Sequence, residues 1–98
     1  MRRPIDPATR LARAIALHAR AEDGAFRLGE ITTRTWTSPT FEGARIAMEL
    51  HDVDPDAAWL TGLTAAELRV GGHLVADLLA MPLGVSAVRI EALLLRDA

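Results

Sequence analysis

Apolar and polar residues alternate most regularly in FEGARIAMELHDV, residues 41–53. Ala44, Ile46, Met48 and Leu50 fall on one side, and Arg45, Glu49 and His51 on the other. A period of two is that of a strand with one buried face. The preceding run, residues 26–37, holds Ile31, Thr32, Thr33, Thr35 and Trp36, β-branched or aromatic residues that suit a pleated surface. Between the runs, Thr37-Ser38-Pro39-Thr40 has turn chemistry and predicts a hairpin with a four-residue loop. That loop sets Trp36 opposite Phe41, while Thr33 opposite Ala44, Ile31 opposite Ile46 and Gly29 opposite Met48 make one mostly apolar face. The other face then carries Trp36, Phe41, Arg34, Arg45, Thr32, Glu30, Leu28 and Glu49. A slip of one residue would exchange the faces of one strand, and a bulge would shift one end.

Two stretches have helical spacing instead. Leu11, Ala14, Ile15 and His18 recur along residues 7–22, flanked by Leu17 and Ala21, with Asp6 as N-cap and Pro7 in the first turn. Gly24 is suited to the left-handed conformation that ends a helix. A second helix is predicted over residues 55–68. Asp54-Pro55-Asp56 reads as its start, Ala58, Trp59, Leu60 and Leu63 as its apolar stripe, Gly62 as a break and Thr64-Ala65-Ala66-Glu67 as a restart.

Residues 73–81 are rich in Leu and Ala and would serve in a helix. The order would then be α-β-β-α-α-β, which resembles the topology of type II KH RNA-binding domains. Their Gly-x-x-Gly backbone clamp has no match in Gly62-Leu63-Thr64-Ala65. A strand reads better, because Gly71-Gly72 suits no helix interior and Pro82 and Gly84 mark a turn. With residues 81–85 as the loop, Leu78 faces Val88, Ala76 faces Ile90, Leu74 faces Ala92, and Asp77 falls opposite Arg89. Ala44-Arg45-Ile46 also resembles Val88-Arg89-Ile90 at a spacing of about 44 residues, a faint repeat of 7–52 in 53–97.

These elements predict a single α+β domain of order αββαββ, a four-stranded antiparallel sheet with two helices packed on one face. Its core is Leu11, Ile15, Leu17, Ile31, Ile46, Met48, Leu50, Trp59, Leu60, Leu63, Leu74, Leu78, Val88, Ile90 and Leu94.

Composition narrows the chemistry. At 98 residues the chain has room for one small core. It has no cysteine, which removes disulfides, thiolate catalysis and cysteine-based zinc sites. The net charge of −2 predicts neither a polyanionic nor a polycationic partner. Lys, Asn, Gln and Tyr are missing while Ala and Arg abound, a coding bias expected of a GC-rich bacterial genome. The Arg-rich start, MRRPIDPATRLARAIALHARA, has the composition of an organelle presequence, but its spacing also suits a docked helix, the reading preferred here. No apolar run reaches the length of a membrane span, and the cytoplasm is the default location.

Asp52, Asp54 and Asp56 start like a calcium loop, but Ala57 and Leu63 stand where that loop needs Gly and Glu. His18, His51 and His73 have no helical zinc spacing, and neither Ser38 nor Ser86 has the setting of a nucleophile. No catalytic residue, metal or cofactor is expected. The remaining candidate is the sheet face left without helices. Arg34, Trp36, Phe41 and Arg45 are the predicted binding residues, with Val75, Leu79, Leu93 and Leu95 from the second hairpin. Large apolar groups and arginines on an uncovered face point to a protein partner or a homo-oligomer. A small-ligand or small-enzyme site on that face is the alternative, and nucleic-acid binding by the Arg34 and Arg45 patch a weaker one.

Overall fold

The structure is a computed structural model and describes residues 6–96. Its elements are α1 (Pro7–Ala21), β1 (Arg27–Thr37), β2 (Glu42–His51), α2 (Ala58–Ala65), β3 (His73–Pro82) and β4 (Ala87–Arg96). The four strands form one antiparallel sheet of order β1-β2-β4-β3, and both helices lie on one of its faces. The fold is the αββαββ arrangement read from the sequence, with residues 73–81 in a strand. Of the Arg-rich start, residues 1–5 lie outside the described residues, and the docked helix begins at Pro7.

Asp6 caps α1 by accepting from the Thr9 N–H at 2.9 Å. The helix buries Ala8, Leu11, Ala12, Ile15 and Ala19 and ends where the N–H of Gly24 bonds to the Ala19 carbonyl at 2.7 Å. The left-handed residue there is Asp23, at φ 58°, and not Gly24. Gly24 is needed for another reason: a Cβ at that position would overlap the indole of Trp59. Leu17 departs from the expected core and is 66% exposed. Two residues past Ile15 is about 200° around a helix, the opposite side.

α2 is shorter than the predicted 55–68. Asp54 closes a turn, with its carboxylate accepting from the Asp56 N–H at 2.9 Å, and the helix starts only after Ala57, which offers no side-chain cap. Gly62 does not break it. Ala66 is extended, so no restart follows, and residues 66–72 instead lead Leu68 and Val70 back against the core.

Between turn and bulge both hairpins keep the predicted faces but not the predicted pairs. In the first, Thr37 pairs with Glu42, so the loop is Ser38–Phe41 and the register moves by two residues, placing Thr33 opposite Ile46 and Ile31 opposite Met48. Ser38 is the reason. Its N–H donates to the Phe41 carbonyl at 2.8 Å, and its Oγ accepts from the Phe41 N–H at 3.0 Å. A shift of two leaves every side chain on its own face. In the second hairpin Pro82 pairs with Val88 and Ala80 with Ile90, so the tip lies beyond Pro82, with Gly84 at φ 113°. Proline is tolerated there because β3 is an edge strand.

Each edge strand carries a bulge, between Leu28 and Ile31 in β1 and between Val75 and Asp77 in β3. Past the bulge the faces exchange. Leu28 pairs with the core residue Leu50 and leaves the open face, Val75 joins the core, and Leu74 leaves it to stand 59% exposed opposite Leu95. Asp77 faces Leu93 and not Arg89, whose neighbour on β3 is Met81.

The core lies between sheet and helices. Ala44, Ile46, Met48 and Leu50 of β2 interleave with Val88, Ile90, Ala92 and Leu94 of β4 beneath Leu11, Ile15, Trp59, Leu60 and Leu63, while Ile31 and Leu78 from the edges are only partly buried. Ala47 of β2 stands opposite Glu91 of β4. A two-fold axis normal to the sheet through that pair carries β1 onto β3 and β2 onto β4, the same exchange as the 44-residue shift.

Candidate functional site

The face away from the helices is built by alternation. Because Ile46, Met48, Ile90 and Leu94 point into the core, Arg45, Ala47, Glu49, Arg89, Glu91 and Leu93 point away from it. Pairing across the sheet then sorts the face into rows, each running from β3 to β1. Leu74, Leu95, Gly43 and Trp36 form one row, and Asp77, Leu93, Arg45 and Arg34 the next. Leu79, Glu91, Ala47 and Thr32 follow, then Met81, Arg89 and Glu49. Between the edges lies a shallow depression of about 460 Å³, bordered by Thr32, Arg34, Arg45, Asp77, Leu79, Arg89, Glu91 and Leu93.

Of the four predicted binding residues, two border this depression and a third is in the next row. Arg34 and Arg45 are directly opposite one another, and Trp36 is in the adjoining row beside Gly43, which has no side chain to occupy the strand surface. Phe41 does not face Trp36. It belongs to the loop, 49% exposed at the hairpin tip, because the Ser38 hydrogen bonds draw it out of the strand.

The charges are unevenly satisfied. Arg89 pairs with Glu91 on its own strand at 3.1 Å, and His51 Nε2 lies 3.2 Å from Glu49. Arg27 reaches Asp52 at 3.2 Å on the sheet margin. Among the described residues, Arg34, Arg45 and Asp77 have no ion-pair or hydrogen-bond partner. Like charges facing one another across a strand pair are unfavourable, so the Arg34 and Arg45 pair is a local cost within this chain.

The histidines take no part in the depression. His18 bonds to the Trp59 carbonyl at 3.1 Å and ties α1 to α2, and the ring of His73 lies against the Gly71 carbonyl at 3.3 Å, away from Glu91. Among the described residues no three His, Asp or Glu side chains come together in a way that would hold a metal ion. Sequence reasoning missed Leu74, since nothing in the pattern announces the bulge that turns it outward. It also missed a groove of about 380 Å³ between α1 and the edge strand β1, where Ala12, Ala16 and Ala19 leave space above Leu28 and Ile31. Small residues on the β1-facing side of α1 were the available signal.

Comparison with protein-family models, with curated proteins and with solved structures gives no match to this chain. No helix among the described residues is long and apolar enough to cross a membrane.

Proposed function

We propose that this chain is a non-enzymatic module that associates with a second copy of itself through the open face of its sheet. The observation that carries this reading is the apolar content of a face that no element among the described residues covers. Leu74 and Leu79 are 59% and 51% exposed and adjoin Leu93, Leu95 and Met81 on the same side, with Trp36 at the far edge of the row that holds Leu74. Contiguous apolar surface of this kind marks contact sites, and aromatic and Arg residues are the usual anchors. Sedimentation of the full chain at high micromolar concentration is the test. Dimeric wild type, with Trp36→Ala and Leu79→Ser variants that are folded but monomeric, supports the reading; a monomeric wild type removes it.

A second reading has one observation behind it. The depression brings the unpaired Arg34 and Arg45 to its border, which suits a small anionic ligand. Phosphate and short dicarboxylates raising the melting temperature of wild type, but not of an Arg34→Ala/Arg45→Ala variant, would favour it over self-association.

A further inference from the structure

We propose that the two copies stack with their two-fold axis parallel to the strands, above the seam between β2 and β4, so that Arg34 of each copy meets Asp77 of the other. This rests on the open-face reading and adds the geometry of the pair. Stacked sheets pack with their strands nearly aligned, about 30° apart, so the axis between two identical faces runs either along the strands or across them. Charge decides between the two.

An axis along the strands keeps each row in place and exchanges β1 with β3 and β2 with β4. The row that holds Arg34 at one edge holds Asp77 at the other, and neither has an ion-pair or hydrogen-bond partner among the described residues. The exchange joins them twice, once at each margin of the interface. In the neighbouring row Trp36 comes over the other copy's Leu74, and further along Glu49 comes over the other copy's Arg89. An axis across the strands at the central row fits less well. It sets Glu91 against the other copy's Glu91 and Asp77 against Met81, and gains only Arg45 against Glu49. Moved to the Arg34 row, it stacks arginine on arginine. Marginal charge pairs contribute less to affinity than to orientation and partner choice, which is the role assigned to Arg34 and Asp77.

The test uses charge exchange in the full chain. Arg34→Asp places two acids at each margin of its own dimer, and Asp77→Arg places two arginines there. Each variant alone is expected to self-associate at least about tenfold more weakly than wild type. An equimolar mixture regains an opposite pair at both margins, so a heterodimer of near wild-type affinity forms, read by sedimentation with one variant carrying a fluorophore. Far-ultraviolet circular dichroism spectra of the separate variants that match wild type show that the substitutions leave the fold alone. Single variants that dimerise like wild type, or a mixture no tighter than its components, overturn the proposed axis. Rescue by Arg45→Glu mixed with Glu49→Arg, in place of the first pair, keeps the open face as the interface and turns the axis across the strands. A monomeric wild type removes both the axis and the reading beneath it.

Discussion

Ile15 and Leu17 are two positions apart in α1, yet the first is wholly buried and the second mostly in water. Their hydrophobicity is alike, and only the angle around the helix separates them. Ile15→Ala is therefore expected to cost about 2–5 kcal/mol in urea unfolding, the range for a truncated core residue, and Leu17→Ala less than about 0.5 kcal/mol. Gly43 presents the opposite case, a position where an added methyl does harm. A Cβ there would collide with the carbonyl of Leu94 on the adjacent central strand, which is backbone and has no rotamer to change. Gly43→Ala is expected to lower stability by about 1–3 kcal/mol, the cost of overpacking, measured in the same way. The sequence identified Ile15 from its spacing. It offered no sign of why Gly43 must be small, because the clash is with a residue about fifty positions away.

At the scale of elements, turns and bulges decide which residues meet. The pattern of FEGARIAMEL specified the faces of β2, and a two-residue error in pairing did not disturb them. The error arose because Ser38 serves the turn with both its N–H and its hydroxyl, which makes Phe41 the last loop residue. Ser38→Ala is expected to destabilise the hairpin by about 0.5–1.5 kcal/mol, the usual worth of such hydrogen bonds, seen as faster amide exchange at Phe41 before any change in the global midpoint. Exchange should also rank the strands. β2 and β4 are central and flank each other, whereas β1 and β3 each have a free edge and a bulge. Amides of β2 and β4 are expected to exchange only through global unfolding, and those near the two bulges through local opening.

For the whole molecule, the central contact is β2 against β4, and it joins the two halves of the chain. Leu50 packs beside Val88 and Ile46 beside Ala92, so neither helix-hairpin half has a closed core of its own. A peptide of residues 53–98 alone is expected to be largely unfolded by circular dichroism, and mixing it with a peptide of residues 1–52 is expected to restore strand and helix signal. Independent folding of either half would contradict this account of the core. The same central pairing leaves one side of the sheet without a layer, and it brings Arg34 to one edge and Asp77 to the other of a single row.

The sequence by itself determined the α+β class, the order αββαββ, most of the core and which face of β2 and β4 is buried. These follow from periodicity, which is local and survives a shift of pairing by two. It also placed Arg34, Arg45 and Trp36 together on the uncovered face. Only the tertiary structure decided the strand order, the pairing within each hairpin, the outward turn of Leu74 and the departure of Phe41 into a loop. Those depend on which hydrogen bonds the turns make and where an edge strand takes up an extra residue. Neither leaves a mark in the spacing of apolar residues.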